Sequence, residues 1–394
     1  MATQKPERFD QVDWTEISRS RWFDLSINSI GMLAAALPLL IVALYDWQVL
    51  DERTPTLEPV GPAWDVGTVD YLFIFTLLLF AFYIVLPLFQ NPRRTKYYWR
   101  EFKRNRPAVV SLGWLAVVFV GGIFGPFFIS APEQSILTGY QPPVFLSVEQ
   151  SYVSTCVGEV VNNQCQGTWQ HPLGTTAGGK DVFSGIVHGM TISMQIGFIT
   201  TTIVATIGIT FGTVSAYAGG WADELMMRFV DIVLSFPTLL MFLLILYIYG
   251  AGLGMFIVVF AAFAWGGTAR YVRSKSLSIS EEEFIKANRI SGASTYRVVR
   301  RHVVPNAASS IITQLTLLIP GFLLAEAQLA FLGLGDSTIP SWGQLISAGR
   351  SDLSFAPWIV LAPGIVLFLT ILAFNFLGDA LLDALNPEAE AENA

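Results

Sequence analysis

The chain is poor in charge, histidine and cysteine. Only 13% of its 394 residues are Asp, Glu, Lys or Arg and 53% are hydrophobic, where an ordinary soluble domain carries roughly a quarter charged residues. A large soluble enzyme is excluded. Basic charge is in deficit too: 23 Lys and Arg against 30 Asp and Glu leave a net of −7, which removes any global attraction to nucleic acid. Two cysteines are too few for a disulfide scaffold. The three histidines, His171, His188 and His302, are scattered, and no His-Glu ligand pair exists, so neither a metal site nor an intramembrane enzyme is expected.

What is abundant is apolar length. The mean hydropathy is +0.53, and runs near the 20 residues a membrane helix needs occur at about 27–45, 71–89, 108–129, 191–218, 229–249, 252–268, 308–332 and 358–378. The pattern predicts an all-α polytopic membrane protein with eight spans. More than twenty residues of mixed charge precede the first run and no small-residue cleavage pattern ends it, so the N-terminus is expected to stay attached.

Arg and Lys set the orientation. Seven lie between Arg93 and Arg106, and eight between Arg270 and Arg301. Both stretches are expected in the cytoplasm of a cell-membrane protein, which places both termini inside. The acidic Asp46 to Asp70 segment and residues 130–190 and 333–357 then fall outside; the acidic tail 388–394 does not conflict.

The external loop 130–190 holds Cys156 and Cys165, in a compartment where thiols oxidise. They either close a small hairpin as a disulfide or remain two thiols. Residues 144–169 read as a short strand-rich insertion, and His171 beside Pro172 as structural. Gly174, Gly179 and Lys180 have P-loop spacing, but Asp181 stands where magnesium needs a hydroxyl. No strand precedes them and the segment is external, so nucleotide binding is not expected there.

The cytoplasmic loop 269–306 has more structure than positive-inside bias requires. Residues 281–290 fit an amphipathic helix with acids first and Lys286 and Arg289 later; Phe284, Ala287 and Ile290 share a face. Gly292 suits its C-terminus. Ser294 is placed to cap a second helix with an apolar stripe of Tyr296, Val299 and Val303, which Pro305 should stop. Two short helices at a bend make a knob.

Several motifs in one order point further. They are Trp99-Arg-Glu-Phe-Lys-Arg-Asn105, His171-Pro-Leu-Gly-Thr175, Gly179-Lys-Asp-Val182, Gly219-Gly-Trp-Ala-Asp-Glu-Leu-Met-Met-Arg228, Phe284 to Asn306, Phe331-Leu-Gly-Leu-Gly335 and Pro340-Ser-Trp-Gly343. Over about residues 97–387 the chain resembles the inner-membrane permeases of ATP-binding-cassette importers, specifically the C-type subunit of dipeptide, oligopeptide and nickel systems. The resemblance implies a six-helix permease core at 97–387, to which residues 1–96 add a two-helix hairpin. It implies import, with peptides as cargo or, in the same machinery, nickel chelates, glutathione or oligosaccharides. The implied partners are a homologous second permease, two ATPase subunits and an external substrate-binding protein. This chain would bind no cofactor, ATP and magnesium being used by the ATPases. The ATPase-docking element would be carried by Phe284, Lys286, Ala287, Arg289, Gly292, Ala293, Ser294, His302 and Pro305. The family's Glu-Ala-Ala core reads Lys286-Ala287-Asn288 here, which reverses one charge and enlarges one small residue.

Within the spans, Glu326 lies ~18 residues into the seventh run, roughly 27 Å deep and near the outer face. An intramembrane acid faces a cavity or a partner, so Glu326 either lines the path near an outer gate or makes a structural hydrogen bond. Pro237, Pro320 and Pro363 are expected to kink their helices, either to shape a gated pore or as plain packing geometry. Gly208 and Gly212 allow close helix approach. A stand-alone secondary transporter would need more intramembrane charge than Glu326 supplies.

Overall fold

The computed structural model describes residues 26–49 and 66–385. The acidic stretch 50–65 and the tail 388–394 lie outside those residues. Twelve α-helices are described: α1 (Ile27–Val49), α2 (Thr68–Gln90), α3 (Pro92–Phe102), α4 (Arg106–Phe128), α5 (Val182–Ala218), α6 (Gly220–Ser235), α7 (Thr238–Tyr249), α8 (Leu253–Ser280), α9 (Glu283–Ile290), α10 (Thr295–Phe331), α11 (Trp342–Gly349) and α12 (Trp358–Leu385). Seven are long and apolar enough to cross a membrane.

The fifth expected span, 229–249, is not one helix. It is the pair α6 and α7, bent by 70° at Phe236-Pro237. Pro237 supplies no amide and its ring disfavours helical backbone at the residue before it; Phe236 accordingly sits at ψ 129. Pro320 and Pro363, by contrast, are buried inside helices that run on through them.

The chain divides into two compact units. Among the described residues, one comprises 26–49 and 77–90, the other 66–76 and 91–385. In the first, α1 meets a π turn of α2 at Ala81–Val85, where a Cβ on Gly31 would stand 2.6 Å from the Phe82 ring. Asn28 and Gln90 exchange two side-chain hydrogen bonds, and the Tyr83 hydroxyl donates to Ser29.

The second unit is built around α5 and α8. They touch at Gly208, where a Cβ would meet Thr268 at 2.8 Å, and at Gly212, where it would meet the Ala269 carbonyl at 2.4 Å. These two glycines, one turn apart, let the backbones approach as small residues do in membrane helices. α4 packs on the other end of α5, its Gly121, Gly122 and Gly125 facing Met190, Met194 and Val187. α11 is seated by Trp342, whose indole lies against Gly189 and donates to the Ile186 carbonyl at 3.0 Å.

α5, α8 and α10 each overrun the hydropathy window. α5 starts at Val182 rather than 191, α8 continues to Ser280 rather than 268, and α10 starts at Thr295 rather than 308. Bilayer thickness fixes only the apolar part of a helix; neighbouring helices stabilise the polar turns beyond it.

Between α4 and α5 the chain forms a small lobe with an antiparallel sheet of order β1-β3-β2, from β1 (Ser147–Glu149), β2 (Val160–Val161) and β3 (Gln164–Gln166). Cys156 and Cys165 are joined as a disulfide. Gln141 organises the lobe from inside: its amide nitrogen donates to the Thr155 carbonyl at 2.7 Å and its amide oxygen accepts from the Val157 N–H at 3.0 Å. The P-loop-like segment is a structural turn. Thr175 and Asp181 form a β bridge, and Asp181 caps α5 through the Ser184 N–H at 2.7 Å while meeting His171 at 2.8 Å.

Candidate functional site

The knob between α8 and α10 is built by local signals. Glu282 occupies the N-cap position of α9, Glu283 its first turn and Arg289 its last. Gly292 closes the helix at φ +83, a left-handed conformation that side chains disfavour, and the Ala293 N–H reaches back to the Asn288 carbonyl at 3.1 Å. Ser294 stands at the N-cap position of α10 with extended backbone, but its side chain makes no capping bond.

Pro305 does not stop the second helix. The helix runs from Thr295 through Pro305 to Phe331, with a π turn at Val299–Val303 just ahead of the proline. Widening the turn accommodates the proline ring and its missing amide. It also changes which stripe is covered. Val298 and Val303, five apart, fall on the same side and are fully buried with Ile285, against Tyr217 of α5, Ile279 of α8 and Ala293. Of the expected stripe Tyr296, Val299 and Val303, only Val303 is buried; Val299 is half-buried and Tyr296 is 71% exposed.

The opposite face is left uncovered. Phe284, Ala287 and Ile290 do share a face, and it points outward, with Ile290 88% exposed. Lys286, Arg289, Gly292, Ser294 and Pro305 are exposed as well, while Ala293 and His302 are half-buried. Arg289 lies over the Tyr217 ring at 5.6 Å and Phe284 meets His302 edge-on at 6.3 Å. The result is an exposed apolar face on α9, and Arg297, Arg300 and Arg301 at the start of α10 are exposed as well.

Glu326 is half-buried near the other end of α10. It accepts a hydrogen bond from the Ser341 hydroxyl at 2.6 Å, and that hydroxyl in turn accepts from the Gln344 N–H at 3.2 Å as the cap of α11. Glu326 and Asp336 line a small cavity of about 30 Å³ together with Ile192, Phe242, Leu253 and Phe256. Pro237 lies apart from it, at the bend between α6 and α7.

Two ion pairs that the sequence does not reveal tie α6 to α8. Asp223 accepts from Arg273 at 2.7 and 2.5 Å and from the Ser215 hydroxyl; Asp231 pairs with Arg270. Asp223 and Arg273 are fifty residues apart, so only the fold brings them together. Gln195 of α5, also missed, donates to Asp70 at 2.6 Å.

Comparison with known proteins gives this architecture its family. Residues 208–390 match the binding-protein-dependent transport system inner membrane component, and residues 93–143 match the N-terminal TM domain of oligopeptide transport permease C. A dipeptide transport system permease protein of Bacillus subtilis is 35% identical over 294 residues, covering 74% of this chain and 84% of the relative. The chain belongs to this permease family. The permease is also 33% identical to an oligopeptide transport system permease protein of Haemophilus influenzae, over 73% of this chain and 87% of that one. It is 36% identical to a glutathione transport system permease protein of Pectobacterium atrosepticum, over 56% and 74%. The permease is therefore a multi-pass membrane protein and a transport subunit.

Proposed function

We propose that the permease imports di- or oligopeptides as one half of a translocation path, the other half being a homologous second permease. The observation that carries this reading is the uncovered apolar patch of Phe284, Ala287, Ile290 and Tyr296 on a knob whose opposite face is anchored by Ile285, Val298 and Val303. A knob with an exposed apolar face and exposed arginines suits a groove on a partner, and the partners are two ATPase subunits, which use ATP and magnesium. On this reading the basic end faces the cytoplasm together with both termini, and the disulfide lobe faces outward toward a substrate-binding protein. Residues 97–387 form the core, to which residues 1–96 add a two-helix hairpin. ATPase closure drives alternating access through the knob into α8 and α10, and Glu326, Pro237 and Pro320 line or bend the path.

The test is affinity purification of the full chain from its host in mild detergent, with mass spectrometry of what accompanies it. A second permease and ATPases should co-purify, and Ile290→Asp and Gly292→Arg should lose the ATPases while keeping the permease. A chain that comes alone, folded and active, would overturn the reading. Glutathione is the second cargo to assay, because glutathione permeases are among the relatives.

A further inference from the structure

Helix α3 has no part in the reading above, yet it is the most strongly two-sided helix of the second unit. At roughly 100° per residue, Thr95, Tyr98 and Phe102 share one side, and these are the residues turned inward. Arg93, Lys96, Arg100, Lys103 and Arg104 fall on the opposite side, all exposed. The single acid of the segment, Glu101, is taken up by Arg104 at 2.6 Å and lies 3.6 Å from Arg100. Among the described residues Arg93, Arg94, Lys96 and Lys103 meet no acid within ion-pair distance. Two exposed rings are interleaved with the cations: Arg100 lies 5.8 Å from the centre of Tyr97, and Lys103 5.2 Å from that of Trp99.

The position of this face is fixed. Phe102 and Ala108 pack against Ala380 and Ala384 of α12, and the Trp114 indole donates to Thr370 at 3.1 Å. This register puts α3 beside the last turns of α12, where the apolar stretch of α4 begins after Asn105 caps it. It is the level at which a bilayer's hydrocarbon gives way to headgroups, where amphipathic rings and long cationic side chains settle.

We infer that α3 binds the phosphate headgroups of anionic phospholipid. The cations of one face supply the charge complementarity, Tyr97 and Trp99 the interfacial rings, and the Phe102 anchor holds the helix against the spanning bundle. A juxtamembrane Lys or Arg near an anionic surface contributes about a fivefold change in binding.

The test uses the detergent-solubilised full chain and a fluorescent phosphatidylglycerol followed by anisotropy. Unlabelled phosphatidylglycerol should displace the probe far better than phosphatidylcholine or sodium phosphate. The triple variant Arg93→Gln, Lys96→Gln, Arg100→Gln should weaken binding on the order of 100-fold, whereas Arg93→Lys with Arg100→Lys should retain it. If the triple variant does not fold, wild-type affinity should still fall steeply as ionic strength rises from 50 to 500 mM, since phosphate contacts are screened. Equal displacement by phosphatidylcholine or by free phosphate, unchanged binding in the folded triple variant, or salt-insensitive binding would each overturn the proposal. So would purified ATPase subunits competing with the lipid for wild-type chain and losing their own binding in the triple variant, which would make the face a protein interface.

Discussion

Asp223 at the start of α6 and Arg273 in the last third of α8 form a two-bond pair, with Nε and Nη2 of the guanidinium donating to the two carboxylate oxygens at 2.7 and 2.5 Å. Their side chains are 18% and 31% exposed. The pair fixes the short helix after the Gly219-Gly220 break to the long helix that leads into the knob.

Asp223→Ala should therefore leave a half-buried guanidinium without its acceptor, at a cost of about 1.5–3 kcal/mol. The melting temperature in detergent should drop by several degrees, and ATP-driven uptake should fall with it. Removing both partners, Asp223→Asn with Arg273→Gln, should be milder than removing one, because no charge is then stranded. A double variant as damaged as the sum of the singles would show that the two residues act independently.

Glu326 offers a separation of fold from transport. Glu326→Gln can still accept from Ser341, so its melting temperature should match wild type, while peptide uptake falls about tenfold if the charge faces the path. Glu326→Leu removes the acceptor and should lower both. Unchanged uptake in Glu326→Gln would reduce this residue to a structural hydrogen bond for the cap of α11.

The disulfide closes a short loop, its cysteines being nine apart in sequence, and its local contribution should be about 2–3 kcal/mol. Replacing both cysteines by serine, or reducing the protein, should accelerate amide hydrogen exchange across residues 144–169 while leaving α5 and α8 protected. Exchange that speeds up throughout the helices would mean the lobe also holds the bundle together.

Tyr140 predicts a pH dependence in the same lobe. Burial, and then the negative charge of Asp352, which accepts its hydroxyl hydrogen bond at 3.2 Å, hold its pKa above the ordinary tyrosine value. A tyrosine that ionises less readily when folded contributes stability that is complete below roughly pH 10 and is lost as pH rises through the folded value. Melting curves taken from pH 8 to 11.5 should show the lobe loosening at the top of that range, and Tyr140→Phe should flatten the dependence. An identical alkaline transition in Tyr140→Phe would assign it to another group.

Much of this was legible without coordinates. Apolar runs of bilayer length and the scarcity of charge within them fix a spanning bundle, because lipid tolerates little else. Gly292 marked the end of α9, since a position needing positive φ favours glycine, and the pair Gly208 and Gly212 marked a close helix contact. The motif order from Trp99 to Gly343 carried the family.

Only the tertiary structure decided the rest. Whether Pro305 stops a helix or is absorbed by a π turn depends on what holds the preceding turn, here the burial of Ile285, Val298 and Val303 against α5 and α8. That same choice set which side of the knob is anchored and which is left for a partner. Pro237, equal in sequence terms to Pro320 and Pro363, alone breaks its helix. Asp223 with Arg273, and Glu326 with Ser341, are pairs that no local spacing could announce. The sequence by itself determined the solvent each segment needs, because hydrophobicity is a property of residues. The partners of its few polar groups were decided by packing, because a contact between distant residues exists only once the helices between them have been placed.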